Sequence, residues 1–346
     1  MLKSNIFKGL LLIIMVLCLV PNMAFAKKPI VLRWAQYTPA KPDQTGGVFD
    51  QFIADEVEKR TNGDVKIEIY WSGAMGKPKE LLGLISDGTI DMTSIPAGFY
   101  NASFPLWLAP NSIPFVMENT EEAWRSATML PELVPGIQIE MKKLNLKCLY
   151  HQVLSPYQIF AREPIKTFED LKGKKFCTWG DYLPRAFKAA GALGVSIFPA
   201  ERYEALQRGV VDGVIWPLCL GQLTRSHEVA PNVCLWNLGP IVGKGIYVNL
   251  DVWNKLPSDV QKIMLDVSAE ANEMQRKQWD QWDDESRKIL EADGAFIHEI
   301  PASERQKWID AQPDFVSEWI KNAEKKGLGK EARELKEKWF EIVAKY

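Results

Sequence analysis

An α/β fold in two lobes is what this sequence predicts, on three observations. Extended and helical runs alternate from Ile30 to Ile95 and again from Tyr157 to Leu218, the pattern of parallel-sheet units. From Ser258 to Ala292 the chain is almost free of helix breakers, with apolar residues at Val260, Ile263, Met264, Val267, Ala271, Met274, Trp282 and Ile289. The length of 346 residues is long for one domain and comfortable for two.

The first alternation opens with a strand at Ile30–Trp34 and a polar turn through Thr38 and Pro42. A helix follows from Gly47 to Lys59, its buried face carried by Val48, Phe49, Phe52, Ile53 and Val57. Val65 to Trp71 alternates with period two and reads as a strand. Pro78–Ser86 is a helix stopped by Gly88, and Ile90–Ile95 a further strand. No Gly-rich phosphate loop interrupts this unit. The aromatic and proline-rich run from Ala97 to Phe115 is expected to be packed core, or else a pocket wall. A helix at Glu121–Leu130 and a strand at Leu146–Tyr150 lead into the second alternation.

There an extended run ends near Ala161, and Thr167 caps a short turn with Asp170 at its positive end. Lys175–Trp179 is extended, Tyr182–Leu193 helical, Ser196–Phe198 extended and Ala200–Arg208 helical. Val211–Leu218 closes the unit as a strand. Ligands of such sheets gather at the carboxyl ends of the strands, here at Cys177, Thr178, Trp179, Trp216 and Pro217. Beyond it come a helix at Thr224–Val229, an extended run at Val233–Leu238 and a strand at Gly243–Asn249. The Ser258–Ala292 helix, if continuous, runs roughly 50 Å. It therefore lies along both lobes as a strut or breaks near Trp279–Trp282. Helices at Ala302–Lys325 and Lys330–Ala344 finish the chain. The expected division is a signal peptide at 1–26, domain I at 27–154 plus about 243–282, domain II at 155–242, and C-terminal helices at 283–346 packing on both lobes. With no Gly/Ser-rich spacer, the crossings between lobes must be short strands, which suits a hinge.

The signal peptide is read from Lys3 and Lys8 ahead of an apolar run from Gly9 to Val20, then Ala24-Phe25-Ala26 as the cleavage site. Its removal leaves 40 basic against 44 acidic side chains. No basic block exists to follow a phosphate backbone, so nucleic acid is not an expected partner. Cys148, Cys177, Cys219 and Cys234 match no disulfide framework and are expected as buried thiols. With three histidines and no HExxH, Gly-x-Ser-x-Gly, CxxC or P-loop, the usual groups for metal, serine, redox and phosphoryl chemistry are missing. No cofactor or metal is expected. Asp91 and Asp212, each just after a Gly-initiated strand entry, are expected to tie strand starts to neighbouring amides. An exported, hinged, two-lobed chain of this kind reads as a ligand trap.

The chain resembles the solute-binding proteins of tripartite ATP-independent periplasmic (TRAP) transporters, the DctP-like family. The markers are Phe52, Ala54, Val57, Thr61 and Gly63 before Val65–Glu68, then Leu81 to Asp91-Met92. Pro164-Ile165 with Phe168–Lys175 follows, then Ala205-Leu206-Gln207, Val211-Asp212-Gly213 and Leu256-Pro257. The resemblance implies the two-lobed periplasmic solute-binding fold with hinge strands and a long domain-spanning helix. It also implies a periplasmic, monomeric protein that passes a small organic anion to TRAP permease membrane subunits. In relatives an arginine on the strand after the Lys-Gly segment clamps the ligand carboxylate; here that position is Cys177, and a second arginine position is Tyr157. Trp216 replaces an Asn and Lys244 a polar residue. A thiol cannot replace a guanidinium fork, so a reworked pocket is expected. In it Trp179 and Trp216 are flat walls, Lys244 and Arg185 candidate partners for one anionic group, and Tyr157, Gln152 and Thr178 polar partners. The expected ligand is a carboxylate or sulfonate on an aromatic or hydrophobic body. Two other readings remain: a binding protein of an ABC transporter or sensor, and an exported enzyme pairing Cys177 or Cys219 with His151.

Overall fold

The computed structural model describes residues 28–38 and 47–346. The expected signal peptide and the turn beyond Thr38 lie outside the described residues. The first run of elements is β1 (Ile30–Ala35), α1 (Gly47–Arg60), β2 (Val65–Tyr70), α2 (Leu81–Ser86), β3 (Met92–Pro96), α3 (Leu108–Ser112), α4 (Thr120–Leu133), α5 (Pro135–Lys143) and β4 (Leu146–Val153). The chain then crosses into β5 (Gln158–Ala161), β6 (Lys175–Thr178), α6 (Tyr182–Ala189), β7 (Leu193–Ser196), α7 (Arg202–Gln207), β8 (Gly213–Trp216), α8 (Leu218–Leu223) and β9 (Asn232–Leu235). It returns through β10 (Val242–Asn249) and α9 (Leu250–Lys255) to α10 (Ser258–Ala292), and ends with β11 (Phe296–Glu299), α11 (Ala302–Asp310), α12 (Phe315–Lys325) and α13 (Gly329–Lys345).

Two sheets form two lobes. One has the order β2-β1-β3-β10-β4 and the other β11-β9-β5-β8-β6-β7. In each, a parallel core is joined by a strand that arrives from the other lobe: β10 runs antiparallel beside β3, and β5 antiparallel beside β8. Only residues 154–157 and 236–241 connect the sheets as strand crossings, and α10 is the third connection. The helix is a single unbroken element, so the break near Trp279–Trp282 does not occur.

Asp91 and Asp212 serve as expected. Asp91 Oδ2 accepts the Arg33 backbone N–H at 2.8 Å, and Asp212 Oδ2 that of Lys175 at 2.7 Å. Each carboxylate thus accepts a backbone amide of a neighbouring parallel strand.

Several boundaries differ from those expected. The helix begun at Tyr182 stops at Ala189, because Gly191 adopts φ +72° and turns the chain into β7 three residues earlier than the expected strand. The helix expected at Thr224–Val229 is only a short 3-10 turn at Ser226–Glu228, entered through Arg225 at φ +56°, and an α-helix, α8, lies earlier, immediately after Pro217. Helix α5, not anticipated, starts from Pro135 at its first turn. The expected Ala302–Lys325 helix is divided at Pro313, with Asp314 capping α12 through Ser317. The C-terminal segment also contributes β11, an edge strand of the second sheet, besides its helices. Within Ala97–Phe115, Phe104 and Trp107 are fully buried core, while Phe99 faces the space between lobes.

Candidate functional site

Between the lobes lies a cleft of about 260 Å³ at the carboxyl ends of the parallel strands. The first lobe supplies Tyr37 beyond β1, Pro96 and Phe99 at and beyond β3, Gln152 on β4, and Gly243 and Lys244 on β10. The second supplies Tyr157 before β5, Trp179 beyond β6, Arg202 at the start of α7, Trp216 at the end of β8, and Leu220, Leu223 and Thr224 around α8. Trp279 of α10 completes the wall where the strut crosses.

Lys244 reaches the cleft because β10 bulges. Val242 pairs with Val153 and Gly245 with His151, so β10 carries one extra residue there and the strand is bent. Asn111 holds the bulge: its Nδ2 donates to the carbonyls of Val242 and, at 2.8 Å, of Gly243, while its Oδ1 accepts the N–H of Gly98. Lys244 does not carry a spare charge. Its Nζ donates to Asp50 Oδ2 at 2.7 Å, and both side chains are almost fully buried. Gln36 Nε2 donates to the same oxygen. Burial raises the Asp50 carboxyl above its ordinary range, with Lys244 and Gln36 opposing.

Of the two cations lining the cleft among the described residues, the one without a carboxylate partner is Arg202, which the sequence did not single out. Its guanidinium lies 4.2 Å from the Trp216 ring centre and 5.2 Å from that of Trp179. Among the described residues it donates only to two carbonyls, Ile197 at 3.2 Å and Ile215 at 3.4 Å, yet Arg202 is 3 % exposed. Burial lowers its pKa from the usual arginine value. A buried guanidinium held by cation–π faces and long carbonyl contacts lacks the paired anion such a group ordinarily needs. One signal was present in the sequence. Arg202, Ala205 and Leu206 share the buried face of one helix, and a charge on an apolar face is unusual.

Several N–H groups of the same cleft wall lack acceptors. Among the described residues, Gln152 Nε2, Trp216 Nε1 and Trp279 Nε1 are buried and unpaired. Tyr157 packs on Trp179 with ring centres 4.9 Å apart. The cleft is therefore an apolar slot with one buried positive charge and several N–H groups awaiting acceptor atoms.

Of the eight residues singled out in the sequence, Trp179, Trp216, Lys244, Tyr157 and Gln152 meet in this cleft. The other three stand elsewhere. Cys177 lies in a buried core cluster with Phe160, Val214 and Trp216, and burial, opposed by nearby Arg202, pushes its thiol up to about 11. Thr178 turns towards β7, where a Cβ on Gly194 would come within 2.9 Å of its Oγ1. Arg185 faces α12 and forms two bonds to Glu318, at 2.8 and 2.6 Å, over the ring of Phe315. Its guanidinium is taken up by that contact. As for thiol chemistry, Cys148, not Cys177 or Cys219, is the thiol beside His151, at 3.6 Å. Burial pushes that thiol up to about 12 and the imidazole down to about 3, so neither is charged near neutrality.

Comparison with known proteins agrees with this architecture. Residues 35–322 match the family described as bacterial extracellular solute-binding protein, family 7, DctP. The chain is 25% identical over 299 residues to the C4-dicarboxylate-binding periplasmic protein DctP of Rhodobacter capsulatus, covering 84% of this chain and 85% of that one. It is 24% identical over 230 residues to the uncharacterized protein YiiZ of Salmonella typhimurium, covering 66% and 70%. A TRAP periplasmic solute-binding protein from Desulfovibrio salexigens, solved with bound orotic acid, has the same fold. The TM-score is 0.79 at 23% identity, over 91% of this chain and 99% of that one. Two lobes joined by strand crossings and a strut, with a donor-lined cleft between them and a family match across most of the chain, lead to one conclusion: this protein belongs to family 7 of the bacterial extracellular solute-binding proteins, the DctP family of TRAP transporters.

Proposed function

We propose that this protein captures a small organic anion in the cleft, with Arg202 as the seat of the anionic group, and closes over it. It then delivers the anion from the periplasm to the membrane subunits of a TRAP permease. The observation that carries this reading is Arg202 itself, a buried guanidinium between two tryptophan faces with no carboxylate partner among the described residues. An incoming carboxylate would supply the missing partner in a charge-assisted, forked hydrogen bond. The unpaired N–H groups of Gln152, Trp216 and Trp279 favour a solute rich in acceptors. The tryptophan faces favour a flat or ring-shaped body. A space of about 260 Å³, just under the roughly 300–1,000 Å³ of drug-sized sites, favours a small one. The ligands named for the similar proteins, C4-dicarboxylates for one and orotic acid for another, are of this chemical class. The test is a thermal-shift screen of organic acids on the mature protein, followed by calorimetry of any that raise Tm. Binding stabilises by mass action, about 2.7 kcal/mol at a hundred times Kd. An acid that stabilises the wild type but not Arg202→Gln supports the reading. Solutes bound equally by both would overturn it.

A further inference from the structure

We infer that the cleft selects singly charged anions, and that Asp50, by pairing Lys244, sets that limit. The inference rests on the reading of Arg202 as the anion seat and adds the number of charges the site accepts.

Two cationic side chains line the cleft among the described residues, Lys244 and Arg202. Asp50 stands directly behind the first. Its Oδ2 is 2.7 Å from Lys244 Nζ, its side chain is fully buried, and no other cation among the described residues pairs with it. The pair adds no net charge, which leaves the described residues of the wall one positive charge in excess, on Arg202. Ion pairing in such a site is governed by desolvation: a carboxylate leaving water needs a compensating partner, or it costs far more than its contacts return. One carboxylate finds Arg202. A second would find Lys244 already neutralised and the Asp50 carboxylate beyond it, and would face repulsion instead. The remaining donors, Gln152 Nε2, Trp216 Nε1 and Trp279 Nε1, are uncharged. They suit neutral acceptors such as a carbonyl, a hydroxyl or a ring nitrogen. The predicted solute class is a monoanionic, acceptor-bearing ring or flat acid, not a dicarboxylate.

The same arrangement gives a way to change the specificity. Asp50→Asn keeps the shape and an oxygen for Lys244 while releasing the lysine charge, so the wall would carry two positive charges. Asp50→Asn with Lys244→Gln restores a single one.

Matched acids provide the test: benzoate against isophthalate, nicotinate against quinolinate, and succinamate against succinate, titrated by calorimetry into the full mature chain. The wild type should bind a monoanion of the panel at least tenfold more tightly than its dianionic counterpart, a difference of about 1.4 kcal/mol. Asp50→Asn should shrink that ratio at least tenfold, and the double variant should return it towards the wild-type value. A wild type that binds a dianion as tightly as its monoanion overturns the inference while leaving the anion site intact. A folded Asp50→Asn with an unchanged ratio removes Asp50 from the explanation. Should Asp50→Asn fail to fold, the wild-type ratio still decides the charge limit. Benzamide or nicotinamide bound as well as the acid, or no acid bound at all, defeats the reading of Arg202 itself and this inference with it.

Discussion

Gln275 and Asp283 stand roughly two turns apart on α10 and grip opposite lobes. Gln275 Oε1 accepts the Val153 N–H at 3.1 Å and its Nε2 donates to the His151 carbonyl at 3.2 Å, covering the open edge of β4. Asp283 Oδ1 accepts the Cys219 N–H at 2.8 Å, where α8 of the other lobe begins. Trp279, between them, faces the cleft. The strut therefore reports on both lobes at the point where ligand would sit.

Loss of the Gln275 amide would strand two backbone groups of a buried strand edge. Gln275→Ala is expected to lower stability by about 1–3 kcal/mol. Urea unfolding followed by tryptophan fluorescence measures it. A midpoint equal to the wild type would show that β4 needs no cover.

Removing Arg202 should separate stability from binding. Arg202→Met deletes a buried charge without a carboxylate partner, so the unliganded protein should be no less stable, while affinity for an organic acid falls at least thirtyfold, or about 2 kcal/mol. Arg202→Lys should restore little, because an ammonium lacks the planar fork that stacks on Trp179 and Trp216. Calorimetry with paired thermal melts checks both; equal losses of Tm and affinity would assign Arg202 a purely structural role.

Acid should weaken the fold through His151. Its ring stacks on Trp107 with centres 4.2 Å apart and contacts the Tyr247 hydroxyl at 3.2 Å. Burial lowers its pKa from 6.5 to about 3. The folded state thus binds fewer protons than the unfolded chain between these values, and stability rises with pH across that window. The contribution is complete above about pH 6.5 and is lost as pH falls towards 3. His151→Gln should flatten this limb in a series of denaturant melts from pH 7 to 4. A variant as acid-sensitive as the wild type would place the proton elsewhere.

Closure is expected to depend on a contact at the cleft mouth. Phe99 of the first lobe meets Phe198 of the second edge to face, with ring centres 5.2 Å apart. Beside them Gly180, at φ +63°, faces the Gly98 carbonyl closely enough that a Cβ would sit 3.4 Å from its oxygen. Phe198→Ala should speed ligand release roughly tenfold, the loss of about 1.4 kcal/mol of aromatic contact, with little effect on association. Stopped-flow fluorescence separates the two rates, and an unaltered dissociation rate would show that the mouth is held by other contacts.

What the sequence determined by itself was local. The period of apolar residues and the absence of breakers marked Ser258–Ala292 as helical, and both ends agree with the structure, but a break near Trp279–Trp282 stayed open. The Gly-strand entries marked Asp91 and Asp212 as ties to strand amides, since a carboxylate just before a parallel strand has few other partners in reach. Strand-end placement put Trp179 and Trp216 at the edge where the cleft lies, because in parallel units the carboxyl ends share one edge, whereas Cys177 and Thr178, placed by the same rule, turn away from it.

Only the tertiary structure decided which charges are paired. Lys244 and Asp50 are 194 positions apart, and Arg185 and Glu318 are 133 apart. In both cases the sequence displayed the cation without its partner. Arg202 drew no notice in the sequence, and only packing shows it buried against two tryptophan faces. Hydrophobic periodicity is written in neighbours along the chain, whereas the state of a charge depends on what long-range folding sets beside it and on how much water is left there.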